Sequence, residues 1–100
     1  NYQSSIEISK KIININEFEN ELNNNFSSKR IKKIYKLKRM INHNIKLDFP
    51  LFITGESLNL LGSNIPKNSL YMLDGSRRCI AYILNEIREI DIYLITIKIK

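Results

Sequence analysis

Hydrophobic and polar positions divide the chain into short strands and amphipathic helices. The pattern predicts strands over 6–13, 51–54, 70–73 and 91–97, and helices over 17–25, 29–42 and 77–87. Leu70, Tyr71, Met72 and Leu73 form an apolar run that stops at Asp74-Gly75, as a buried strand entering a sharp turn would. Beyond the turn, Ile80, Ile83, Leu84 and Ile87 recur at helical spacing, with Ala81 small enough to let the helix approach a sheet. Ser76 is placed to cap this helix.

A second helix carries the stripe Ile31, Ile34, Tyr35, Leu37 and Ile41, with Ser27 or Ser28 as its cap and Tyr35 expected on the core side. Over residues 16–26, Asn16 and Glu19 have capping-box spacing, and Glu17, Glu19 and Glu21 suit a solvated face. Residues 57–68 mix Gly62 and Pro66 with Leu58, Leu60 and Leu61, which predicts a packed loop or a short helical turn. His43 falls near a helix end, where a cation is favoured. The expected architecture is a small α/β (α+β) domain with a mixed sheet.

Charge alters this picture at two places. Lys29, Arg30, Lys32, Lys33, Lys36, Lys38 and Arg39 carry seven positive charges without an intervening acid, whereas the whole chain totals only +6. The basic excess is therefore one helix, either a solvated face or a contact for nucleic-acid phosphates through Lys29, Arg30, Lys32, Lys33 and Lys36.

The other place is Asp74-Gly75-Ser76-Arg77-Arg78. Two arginines stand in the first turn of a helix, where the macrodipole disfavours positive charge. A bound anion would remove the conflict, because free amides at a helix start and guanidinium forks both suit phosphate oxygens. The competing reading is an ion pair between Asp74 and Arg77 or Arg78 in a purely structural turn.

Composition sets outer limits. One hundred residues suit one domain with a single core. A start at Asn1 rather than methionine suits a domain excised from a longer protein. The single cysteine, Cys79, precludes an intramolecular disulfide and suits a reducing cytoplasm. Its position on the apolar face favours a small buried hydrophobe over an activated thiolate. No apolar run approaches the roughly twenty residues of a membrane span, and no signal-peptide pattern is present, so a cytoplasmic location without membrane contact is expected. No His/Cys cluster has metal-site spacing, and one histidine supplies no recognisable Ser-His-Asp arrangement.

The segment Tyr71-Met72-Leu73-Asp74-Gly75-Ser76-Arg77-Arg78-Cys79-Ile80-Ala81, followed by Ile90-Asp91-Ile92-Tyr93-Leu94-Ile95, resembles the signature of the ParB/sulfiredoxin-like superfamily. That signature is a strand, Asp-Gly or Gly-Gly, then His-Arg or Arg-Arg, a small residue, a helix and a closing strand. The upstream elements fit in order but carry no specific motif. The resemblance implies a nucleotide-binding domain using ATP or CTP with Mg2+. In it, Gly75, Ser76 and Arg78 hold phosphates, Arg77 neutralises charge, and Asp74 orients a metal or activates a hydroxyl, as the aspartate of the free-serine kinases in that superfamily does. Glu17 and Glu19 lie where those kinases carry a further glutamate.

Two departures narrow the implication. Ser76 stands where sulfiredoxin has its reactive cysteine, and the partition-type glutamate is absent, which argues against thiol repair and against CTP-gated clamping. Three functions stay open: nucleotide binding with or without phosphoryl transfer or nucleotide hydrolysis, a DNA- or RNA-binding regulatory module, and a degenerate member kept for protein interaction.

Overall fold

The first strand and the last are partners. In the computed structural model, which describes residues 4–18, 22 and 27–99, strand β1 (Ser4–Asn14) pairs antiparallel with β4 (Glu89–Ile99) along its whole length, from Ser4 opposite Ile99 to Asn14 opposite Glu89. β2 (Leu51–Thr54) lies parallel to β4 and antiparallel to β3 (Leu70–Asp74), with a register shift between Leu51 and Phe52. The result is a four-stranded mixed sheet in the order β1-β4-β2-β3, an α+β architecture.

Period-two burial on β4 shows which sheet face the core uses. Ile90, Ile92 and Leu94 are buried, while Asp91 and Tyr93 between them are exposed. Those three join Ile15, Phe18, Leu22, Ile34, Phe52, Cys79 and Ile80 in one cluster. Phe52 is fully buried and meets the Phe18 ring edge-on at a centroid distance of 5.1 Å. Burial on this scale contributes about 2–3 kcal/mol for such a side chain.

Helix α1 (Ser28–Asn42) is built from good helix formers, Lys, Arg, Leu and Met, and starts where the Ser27 hydroxyl accepts from the Arg30 amide at 3.2 Å. Its phase differs from the expected one. Ile34 is buried, with Arg30, Leu37, Lys38 and Ile41 half-buried beside it, whereas Tyr35 and Ile31 are exposed. Tyr35 is thus a surface residue rather than a core one, because the stripe that meets α3 (Ser76–Leu84) runs through 30, 34, 37, 38 and 41.

The short helix α2 (Gly55–Leu60) accounts for the glycine- and proline-containing segment, and both Asn59 side-chain ends clasp the Ile65 backbone, at 2.8 and 2.9 Å. α2 also completes the sheet. Ser57 is fully buried and its hydroxyl accepts from the Ile97 amide at 2.8 Å, where β2 has already ended and β4 has no strand on that side.

α1, α2 and α3 close on the same paired backbone bonds, with Asn44, Gly62 and Glu86 respectively in the left-handed region. In α3 the Ile87 amide reaches the Tyr82 carbonyl and the Glu86 amide reaches the Ile83 carbonyl. The helix expected over 77–87 therefore stops at Leu84, although Ile87 still packs on the core and so continues the apolar spacing. His43 is the C-cap residue of α1. The helix expected over 17–25 opens as the 3-10 turn Ile15–Phe18, with Leu22 helical and buried; Glu19 and Glu21 lie outside the described residues. Among the described residues, no helix is long and apolar enough to cross a membrane.

Candidate functional site

The turn after β3 depends on glycine for two separate reasons. Gly75 has φ +103°, a conformation that side-chain-bearing residues rarely adopt, and a Cβ there would stand 2.9 Å from the Pro50 Cβ. Gly75 is itself the residue that caps α3, and it makes no side-chain cap bond. Ser76 is consequently not the cap but the first helical residue, and its hydroxyl accepts from the Arg30 guanidinium at 3.0 Å. The left-handed glycine completes the reversal one residue earlier than the sequence suggested, which frees the hydroxyl for a partner on α1.

Arg78 is held by the protein itself. Its Nη1 donates to the carbonyls of Asp48, at 2.7 Å, and Phe49, at 3.3 Å, and its Nη2 meets Asp74 Oδ2 at 3.3 Å. The Arg78 side chain is 19% exposed and that of Asp74 is 75% exposed, so the pair straddles the surface. Three oxygens thus offset the unfavourable placement of Arg78 in the first turn of α3. The ion-pair reading of the motif holds for Arg78. Arg77 is exposed.

An open cleft of about 380 Å³ lies along this turn, lined by Lys33 and Leu37 of α1, by Met72 and Leu73 of β3, and by residues 74–78. Lys33 stands one turn beyond Arg30 on α1, so the packing of α1 on α3 brings two of the basic helix's cations to the Asp-Gly-Ser-Arg-Arg turn. Among the described residues the cleft contains one acid, Asp74, against Lys33, Arg77 and Arg78, and it opens at the amide end of α3. That excess of positive charge beside free helix-start amides suits an anion. Leu37, Met72 and Leu73 give it an apolar side.

Other candidates fall outside the cleft. Lys29, Lys32 and Lys36 are exposed on α1, in the same helix segment as the exposed Tyr35. Glu17 is exposed beside a separate recess with Phe18 and Asn68. Cys79 is fully buried, and burial pushes its thiol from an ordinary 9.0 up to about 12, partly opposed by the Arg78 charge, so it is protonated at neutral pH. Among the described residues no group of three His, Cys, Asp or Glu side chains is placed to hold a metal ion. With Asp74 as the cleft's one carboxylate among the described residues, the donor set fits Mg2+ carried by phosphates and not Mg2+ held by protein ligands alone.

The Asp48 and Phe49 carbonyls and the Pro50 ring had no signal in the sequence, because they reach the turn only through the β2-β3 pairing. Lys33 and Arg30 did have one: their spacing puts both beside Ile34, once Ile34 is taken as the centre of the buried stripe. No family model matches the chain, and no curated protein or solved structure matches it.

Proposed function

We propose that the cleft beside Asp74-Gly75-Ser76-Arg77-Arg78 binds the phosphates of a nucleotide, ATP or CTP with Mg2+, and that the chain is a ParB/sulfiredoxin-like nucleotide-binding domain. The observation that carries this reading is the convergence of Lys33 and Arg77, from different helices, on the amide end of α3. In this assignment Gly75 lets the phosphate approach the backbone, Ser76 and the following amides hold its oxygens, and Arg77 and Lys33 neutralise charge. Arg78 keeps the turn in shape while presenting its remaining guanidinium edge. Leu37, Met72 and Leu73 offer an apolar wall for a sugar or base. If turnover occurs, phosphoryl transfer or nucleotide hydrolysis is its class, with Asp74 orienting the metal or activating a hydroxyl.

Calorimetric titration of ATP and CTP with Mg2+ tests the reading. Binding is expected for at least one nucleotide and is expected to weaken at least roughly tenfold when Lys33 and Arg77 are both alanine, about 1.4 kcal/mol. Both residues are exposed, so the variant keeps its fold. No heat with any nucleotide overturns the assignment.

A second reading draws on the exposure of Tyr35, at 50%, on the helix that carries Lys29, Lys32 and Lys36: a DNA- or RNA-binding module without turnover. It predicts a steep fall in affinity with salt, shallower when Lys29, Lys32 and Lys36 are neutralised. Salt-independent affinity excludes it.

A further inference from the structure

The outer edge of β1 is an eleven-residue strand whose other side has no partner strand among the described residues. Of the usual protections it lacks two, since its ladder with β4 is unbroken by any bulge and it contains no proline; the charges it does carry are Glu7, Lys10 and Lys11. Ile6, Ile8 and Ile12 are 67%, 64% and 66% exposed on one of its faces. Opposite them on the same face of β4 stand Ile97, Ile95 and Asp91.

Hydrogen bonding elsewhere on β4 identifies which β1 residues have outward backbone groups. The Tyr93 amide donates to the Pro50 carbonyl and the Ile97 amide to Ser57, so both point away from β1. Their β1 partners, Lys10 and Ile6, therefore form non-hydrogen-bonded pairs with β4 and direct their own N–H and C=O groups to the free edge. By alternation the even-numbered residues from Ser4 to Asn14 do the same. A second strand can dock antiparallel only in a register that sets even residues opposite even ones.

For a second copy of the same strand about a two-fold axis, the axis must then pass through a residue. Centring on Glu7, Lys10 or Lys11 opposes like charges at the axis. Centring on Ile8 leaves Glu7 opposite Ser9 and Lys10 opposite Ile6. Centring on Ser9 also sets Ile8 opposite Lys10, but it sets Glu7 opposite Lys11 twice and Ile6 opposite Ile12 twice. The Glu7 and Lys11 positions form non-hydrogen-bonded pairs in that ladder, where side chains are closest. Glu7 already meets Lys98 at 3.3 Å within its own chain, so its carboxylate would lie between two ammonium groups.

We infer that β1 is a homodimer interface, in which two copies pair edge to edge about Ser9 and the two sheets join into one of eight strands. Charge complementarity selects a second copy as the occupant, since the Glu7-to-Lys11 match is a property of the strand with itself. The interface uses the sheet edge remote from β3 and is independent of the nucleotide reading.

Sedimentation of the chain over a range of concentrations, with five variants, tests this. Glu7→Lys alone and Lys11→Glu alone are each expected to weaken self-association roughly tenfold, by turning two attractive pairs into repulsive ones. The double variant, with both substitutions in one chain, recreates the pairs in reverse and is expected to recover most of the affinity. Ser9→Cys is expected to give a covalent dimer under mild oxidation, whereas Glu7→Cys is not, and buried Cys79 does not compete. A chain that stays monomeric into the millimolar range, or a dimer indifferent to both single charge reversals, overturns the inference.

Discussion

The Arg30 guanidinium donates to the Ser76 hydroxyl at 3.0 Å, joining the basic helix to the first residue of the helix that follows the glycine turn. This contact places Lys33, three residues further along α1, over the same cleft as Arg77. Two features that are separate in sequence, a basic helix and a phosphate-like turn, are thus one surface in the fold.

The coupling between them is measurable. Arg30→Ala and Ser76→Ala, singly and together, form a double-mutant cycle by denaturant unfolding, with an expected coupling of about 1–2 kcal/mol for a partly buried bond from a charged donor. Additive effects would mean that the bond does not tie the helices.

Backbone conformation predicts opposite outcomes at two left-handed positions. Gly75→Ala is expected to cost about 2–3 kcal/mol, from the positive φ and the collision with Pro50. Glu86→Gly is expected to stabilise by about 0.5 kcal/mol, since Glu86 closes α3 at φ 60° without a glycine's freedom. Melting temperatures of the two variants should move in opposite directions.

How much of this was legible in the sequence depended on the range of the contacts involved. β2 was read at its observed limits because an apolar run bounded by Pro50 and Gly55 states its own ends. The β1 and β4 strands are legible but shorter than observed: Glu89, Lys98 and Ile99 at the ends of β4 are exposed and give no burial signal, whereas Ile90, also outside the expected range, is buried in the core. Tyr35 was misplaced because Ile31, Ile34, Tyr35 and Leu37 fit two helical phases, and only packing on α3 chooses between them. The glycine turn itself was legible, and so was the Asp74 to Arg78 pair as one of two readings. The carbonyls that hold Arg78 were not, because they are contributed by residues 48 and 49, some thirty positions away.

Ser57 supports an expectation of its own. Its hydroxyl occupies the place of a missing strand beside Ile97, so Ser57→Ala leaves that half-buried amide without its acceptor and is expected to cost about 1–3 kcal/mol. The loss should appear as faster amide exchange at Ile97 before any global unfolding. Unchanged exchange there would show that the hydroxyl is dispensable.

Cys79 gives a pH signature. An unfolded thiol ionises from its ordinary 9.0, while the buried one holds its proton until about 12. The stabilisation from keeping it neutral is therefore complete below pH 9.0 and is lost as pH rises through that window. The stability difference between the parent and Cys79→Ala should be flat up to pH 9.0 and then fall by up to about 1.4 kcal/mol per pH unit. Alkylating reagents at pH 8 should leave the native thiol untouched and label it only on unfolding.

The most direct test of the cleft is a thermal-shift panel of nucleoside triphosphates with Mg2+, run on the parent chain and on the Lys33→Ala, Arg77→Ala double variant. A phosphate-binding cleft predicts a rise in Tm with ATP or CTP, equivalent to about 2.7 kcal/mol at a hundredfold excess over Kd, and its loss in a variant whose unliganded Tm is unchanged. No shift with any nucleotide, or an equal shift in parent and variant, would contradict it.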